Sequence, residues 1–249
     1  MLNETQLPAS RVPVTEGDAT PTRAWFRFFS SLYNFVGLGN GVVPPTSGGT
    51  GNVTYAAGDL LYAPTANTLA RLAAPGITSP SFLGTDSTNM PQWIDVAYGS
   101  FADSGVQTAA ANTPTAITYN TTNYHNLVDI GAPTSRVIVA NVGTYNITFS
   151  VQFTNTSTTS EDDVIVWLKT AAGNIAYSAS YLTINKKRGG IDGTALMTVN
   201  FYQQFAAGAY FELYWLSKGG LASISAIPSS ASPSYPAAPG VILTVSQII

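Results

Sequence analysis

From Tyr145 to Phe153 the odd positions Tyr145, Ile147, Phe149, Val151 and Phe153 are apolar, and the even positions Asn146, Thr148, Ser150 and Gln152 are polar. A period of two is the pattern of a strand with one face on a core and the other in water. Val164, Val166 and Leu168 repeat it before the turn residues Ala171-Ala172-Gly173-Asn174, and Ala195, Met197, Val199 and Phe201 repeat it before Ala206-Ala207-Gly208. Phe211, Leu213 and Trp215 follow, and Val241, Leu243 and Val245 close the series. Shorter runs at Ile117–Tyr119, Leu127–Ile130, Val137–Val139 and Ile175–Ile184 bring the count to roughly eight to ten strands. That many strands with no helical segment between them predict a sandwich or jelly roll. Several strands are apolar on both faces: Ile165 and Trp167 oppose the Val164 series, and Tyr210 and Tyr214 oppose the Phe211 series. A lone sandwich leaves one face of each sheet wet, so these residues predict a second burial surface, as a trimer axis would supply.

The pattern upstream is different. Residues 1–19 are polar, contain Pro8 and Pro13, show no periodicity and read as an extended arm. Thr20 before Pro21 is a helix-start signal, an N-cap residue with proline at the first helical position. Trp25, Phe28, Phe29, Leu32, Tyr33 and Val36 then recur at helical spacing, with Gly37 as the stop. With Phe26 and Phe35 added, little polar face remains, and such a helix must be buried by something. The flanking segments offer no core, so Trp25, Phe26, Phe28, Phe29, Leu32 and Tyr33 read as an anchor onto another chain.

Residues 37–97 are broken by Gly or Pro every few positions, with short β-like runs at Tyr55–Tyr62 and Thr68–Leu72. They read as a stalk too thin to hold a core. Gly37-Leu38-Gly39-Asn40-Gly41 lacks the preceding strand and following helix of a phosphate loop and reads as a connector. The chain thus divides into an arm and anchor helix (1–36), a Gly/Pro-rich stalk (37–97) and a β head (98–249).

Composition sharpens this. Hydrophobic residues are 45% of the 249, enough for a packed core, whereas charged residues are 9% against the ~25% of an ordinary soluble domain. The surface must therefore be Thr, Ser, Asn, Gln and Gly, as in assembled or extracellular β proteins. A net charge of −3 leaves no footprint for nucleic acid, and Lys186-Lys187-Arg188 before Gly189-Gly190 reads as a solvated loop. With no cysteine there is no disulfide framework or thiolate metal site. Met1–Thr5 lacks the basic and apolar regions of a signal peptide, so Asn146-Ile147-Thr148 and Asn155-Thr156-Ser157 read as by-products of composition, not as glycosylation sites. No apolar run approaches the ~18 residues of a membrane span, and no membrane insertion is expected.

Catalytic chemistry has little to stand on. His125 is the single histidine, with Asp129 four residues on, but a triad needs a nucleophile that the abundance of Ser and Thr does not single out. Glu161-Asp162-Asp163 lacks the spaced oxygen ligands of a calcium loop and reads as a charged turn, with a bound cation as the alternative. The long repeats of a sugar-cleaving β-helix are absent from the sequence. No enzyme activity, metal or cofactor is expected.

Three segments resemble a known family. Gly143-Thr144-Tyr145-Asn146-Ile147-Thr148-Phe149-Ser150 resembles the "G-x-Y-x-F-S" strand of the tumour-necrosis-factor-like jelly roll shared by the globular heads of complement proteins. Ala207-Gly208-Ala209-Tyr210-Phe211-Glu212-Leu213 resembles its "G-D-x-V-x-L" strand, with Ala209 where an acid is usual. With Tyr98–Ser104 these are similar to jelly-roll heads at the C-termini of bacteriophage fibres. Gly58-Asp59-Leu60-Leu61-Tyr62 through Leu72, then Pro91-Gln92-Trp93, resembles a repeat of phage tail-fibre stalks, and Arg23–Phe29 resembles N-terminal segments of virion proteins. The resemblance implies a homotrimeric appendage outside the virion, joined through its N-terminus to tail, neck or capsid proteins. Its head is expected to meet a host glycan or surface protein, or, as a capsid- or neck-attached decoration, to be structural or weakly adhesive. The expected contact loops are Thr154–Ser160, Ser217–Gly220 and Pro228–Pro239, with Asn155, Ser217 and Tyr235 as candidate residues, because aromatic rings among adaptable polar neighbours suit such contacts.

Overall fold

In the computed structural model, which describes residues 8, 11–17, 20–35, 49–76 and 81–248, one helix and twenty strands make the chain mainly β. The chain divides into two units, residues 1–94 and 95–249.

In the first unit the helix α1 runs from Arg23 to Phe35. It starts two residues later than Thr20-Pro21 suggests, because those residues belong to a turn: Glu16 N donates to the Thr20 carbonyl (2.8 Å), and Thr15 bridges to Pro21. The first helical bond is instead Phe26 N to the Thr22 carbonyl at 2.8 Å. The arm is not simply extended. Thr22 Oγ1 donates to Pro13 O (2.8 Å) and Trp25 Nε1 to Val12 O (3.1 Å), so residues 11–17 fold back on the helix. Nor is the helix apolar all round, since Arg23, Arg27, Ser30 and Ser31 share one stripe at 3–4 residue spacing. Val36, Gly37 and the Gly-x-Gly run lie outside the described residues.

Further along this unit, β1 (Leu60–Tyr62) pairs antiparallel with β2 (Ala70–Leu72), and β3 (Ser81–Thr85) with β4 (Pro91–Asp95). Both hairpin loops turn on an asparagine of positive φ, Asn67 and Asn89, and asparagine tolerates that region better than most residues. Asp86 closes the second loop by accepting from Thr88 Oγ1 (2.7 Å), Thr88 N (2.7 Å) and Met90 N (3.0 Å). These bonds, the Thr88 hydroxyl foremost, hold its carboxyl below the usual range.

The second unit begins with β5 (Tyr98–Asp103), β6 (Gln107–Thr108), β7 (Thr115–Ala116), β8 (Thr121–Asn126), β9 (Val128–Ile130) and β10 (Val137–Val139). The long strands β11 (Gly143–Asn155) and β12 (Asp162–Thr170) follow, then β13 (Gly173–Asn174), β14 (Ser180–Ile184), β15 (Gly193–Phe205) and β16 (Tyr210–Ser217). Last come β17 (Ala222–Ile224), the small hairpin of β18 (Ser230–Ala231) and β19 (Ser234–Tyr235), and β20 (Val241–Gln247). One sheet runs β6-β17-β11-β20-β5-β8, with β15 on the free edge of β11; the other runs β13-β12-β16-β10-β9, with β14 on β12 and β7 on β16. Their inner faces meet in one core of Tyr145, Ile147, Phe149, Val151 and Phe153 against Val164, Val166, Leu168, Phe211, Leu213 and Trp215. Phe153 meets Trp215 at 5.7 Å and Phe205 meets Phe211 at 5.3 Å, each pair bridging the two sheets.

The alternating segments are strands in the inward register that their period assigns. Two short runs differ. The strand near residue 117 is Thr115–Ala116, and only Ser180–Ile184 of the 175–184 run is extended. The left-handed Tyr177 and the Ser178 hydroxyl, which donates to Ile175 O (2.8 Å), turn the chain before it.

Candidate functional site

Asp162, Asn155 and Ser217 look in the sequence like polar residues at loop mouths, yet all three are buried. Each continues the inward parity of its strand one step past the last apolar residue: Asn155 after Phe153, Ser217 after Trp215, Asp162 before Val164. The side chains of Asn155 and Ser217 therefore face the interior and not the surface on which the sequence reading places them. Asn155 Nδ2 donates to Ser160 O (3.1 Å) and its Oδ1 accepts from Ser157 N (2.9 Å), which shapes the 155–160 turn from inside. Asp162 accepts from Gly219 N (2.7 Å), Leu221 N (2.9 Å), Ala222 N (2.7 Å) and the Ser217 hydroxyl. Burial pushes the Asp162 carboxyl upward, but the Ser217 hydroxyl and the three N–H groups outweigh it and leave it below the ordinary range. Parity along the strand was the sequence signal for these roles.

The other acids beside Asp162 turn elsewhere. Asp163 faces Tyr181, Thr183 (2.8 Å) and Lys218 (3.4 Å), whose hydrogen bonds lower its pKa, and Glu161 lies 3.8 Å from Arg188. Three carboxylates with three separate sets of partners do not converge on a cation. Among the described residues no group of three or more His, Cys, Asp or Glu converges as a metal site. His125 Nδ1 lies 2.6 Å from Asp129 Oδ1, both half exposed, where the chain passes from β8 to β9.

Tyr235 sits 46% exposed on the β18–β19 hairpin. That hairpin belongs to an excursion that leaves the sheet beside Gln152: Ser225 N donates to Gln152 O (3.2 Å), and Gln152 N donates to Gly240 O (2.8 Å) on the return. Of the three named contact residues, Tyr235 alone is displayed.

The two sheets differ on their outer faces. Outside β12 and β16, the aromatics that argued for a second burial surface are covered within the chain. Trp167 packs on Tyr214 and donates to Asn174 Oδ1 (2.9 Å), Lys169 lies 4.3 Å above the Tyr214 ring, and Arg136 lies 4.3 Å above Tyr210. Such cation–aromatic stacks cover the rings from within the chain. The other sheet presents cross-strand rows Tyr124-Ser100-Thr244-Thr148-Asn200, Ala102-Ile242-Ser150-Thr198 and Tyr98-Ser246-Asn146-Tyr202. These rows hold no Asp, Glu, Lys or Arg. Tyr124, Tyr202 and, beside the rows, Leu196 are each more than 60% exposed.

On α1, Trp25 and Phe28 are half-buried in a ring cluster with Phe29, whereas Phe26, Phe29, Leu32 and Tyr33 are exposed. Pro21, Phe26, Phe29, Ser30 and Tyr33 line a shallow groove. No described helix is long and apolar enough to cross a membrane. The sequence matches no protein-family model and no curated protein.

Proposed function

We propose that the chain is a non-enzymatic fibre of a bacteriophage virion, with a trimeric jelly-roll head that attaches to the host surface and an N-terminal helix that joins it to the particle. The observation that carries this reading is the path of the chain between the two sheets. Within the second unit it passes from β5 and β6 across to β7, back to β8, across to β9 and β10, back to β11, across to β12, β13 and β14, back to β15, across to β16, and back to β17 and β20. The first and last strands of the second unit, β5 and β20, end as neighbours. Antiparallel strands exchanged in this order between two sheets suit the interleaved Greek keys of a jelly roll.

The charge-free face supports the trimer. Repeating one surface about an axis brings like charges together, so a face without charge is self-compatible where the outer face of the second sheet, which carries Lys169 and Asp163, is less so. The exposed aromatics of α1 support the anchor, and placing Phe26, Phe29, Leu32 and Tyr33 in a partner's groove would remove them from water. Replacing Phe26 and Phe29 together by Ala is expected to leave the protein folded by circular dichroism but absent from assembled particles. Normal incorporation of the double variant would remove the helix as the attachment element. The host-binding role is tested by adding purified protein to host cells and measuring adsorption of the phage. Competition is the expected result, and adsorption untouched at saturating protein would favour a structural decoration on capsid or neck.

A further inference from the structure

We propose that the concavity beside the basic turn at residues 185–194 is a subsite for an acidic saccharide, a sugar ring carrying a carboxylate or phosphate. This rests on the host-binding reading and names the chemistry that would be recognised.

The second unit contains six cations, Arg136, Lys169, Lys186, Lys187, Arg188 and Lys218, and half of them are consecutive at this turn. Lys187 is spent locally, since its Nζ lies 2.7 Å from Asp192. The other two are available. Lys186 Nζ donates to the Thr159 carbonyl at 3.4 Å and faces no carboxylate, and the 72%-exposed Arg188 has only Glu161 at 3.8 Å. Lys186, Lys187 and Arg188 against Asp192 and Glu161 leave one positive charge in excess, in a chain whose net charge is −3. Around the concavity stand Asn185, Lys186, Arg188, Ile191, Asp192 and Thr194. An ammonium and a guanidinium suit a carboxylate or phosphate, and the Asn185 amide and Thr194 hydroxyl suit ring hydroxyls. The Ile191 side chain, 76% exposed beside them, suits the C–H face of a pyranose. That apolar element separates a sugar acid from a bare anion.

The turn is held in shape before any ligand arrives. Arg188 N donates to Ile191 O (2.9 Å) and Ile191 N to Arg188 O (3.0 Å), around Gly189 and Gly190 at positive φ. Lys187 N donates to Ser157 O (2.8 Å), which ties the turn to the loop that Asn155 shapes. Gly193 is obligatory, because a Cβ there would collide with the Asn185 carbonyl. A preformed site loses less entropy on binding.

The test is calorimetric titration of the full chain at low ionic strength with trigalacturonate, glucose 6-phosphate, galactotriose and inorganic phosphate. Binding of at least one of the first two, tighter than either control, is expected, and which of them binds identifies the acid. Lys186→Ala with Arg188→Ala should weaken that binding about 10- to 100-fold, the loss of charged hydrogen bonds, while Lys169→Ala, which removes a cation stacked on Tyr214 outside the other sheet, leaves it unchanged. Both cations are at the surface, and circular dichroism checks that the double variant folds. Inorganic phosphate binding as tightly as the sugars, no binding by either acid sugar, or wild-type affinity in the double variant would each overturn the subsite. The adsorption assay separates this from the broader reading. If wild-type protein and the Lys186→Ala/Arg188→Ala protein compete equally, host binding stands and the subsite falls; if wild-type protein fails to compete, both fall.

Discussion

Replacing Asp162 by Ala is expected to destabilise the second unit by about 3–4 kcal/mol, roughly 10 °C in melting temperature. The side chain is almost wholly buried, and its two oxygens serve three backbone N–H groups and one hydroxyl of residues 217–222. Removing it strands those donors away from water, and a buried donor without a partner costs far more than an ordinary hydrogen bond returns. The same carboxylate gives stability a defined pH dependence. Its folded pKa lies below the unfolded value of ~3.9, so its contribution is complete above about pH 4 and is lost as pH falls through the folded value. Asp162→Asn keeps the shape but replaces one acceptor oxygen by an NH2 facing N–H groups, and should both lower stability and flatten that acid limb. Denaturant unfolding of the three proteins between pH 3 and 7 measures both effects. Equal midpoints for Asp162→Ala and wild type would show that the 217–222 loop holds without this residue.

Asp162 also marks where the sequence was legible and where it was not. The strands from Tyr145 to Phe153, Val164 to Leu168 and Phe211 to Trp215 declare themselves because one side chain in two must leave water, and a period of two admits one inward face. Polar residues that extend the same parity look by their chemistry like loop contacts, whereas their position makes Asn155 and Ser217 interior braces. The outward aromatics Trp167, Tyr210 and Tyr214 predict, from sequence alone, a second burial surface. What covers them, Asn174, Lys169 and Arg136, is brought there by cross-strand pairing, or in Arg136 by the approach to β10, that no local pattern reveals. The pairing of β11 with β15, Gly143 to Phe205 at one end and Asn155 to Gly193 at the other, joins segments about fifty residues apart. Such registers follow from the global packing of two sheets and leave no trace in a window of ten residues. The charge-free face was visible only as a low total charge, because its rows assemble from five strands.

If the proposed trimer forms through this face, placing lysine at Thr148 and Thr198 is therefore expected to convert the 249-residue chain from that trimer to a folded monomer. Both side chains stand on that outer face, Thr148 between Asn200 and Thr244 and Thr198 opposite Ser150. Two lysines per chain put six positive charges around a three-fold axis. In a drying interface each pair of like charges costs several kcal/mol, and no acid on this face can offset them. Lysine is accommodated on an exposed strand face of the monomer, so the fold should survive with little loss. The control is Thr183→Lys, on the outer face of the other sheet beside Asp163, which should leave the proposed trimer intact. Sedimentation equilibrium at micromolar concentration gives the mass, and circular dichroism confirms the β fold. A trimer that persists in the double lysine variant would move the interface off this sheet, and a wild-type chain that sediments as a monomer would remove the trimer altogether.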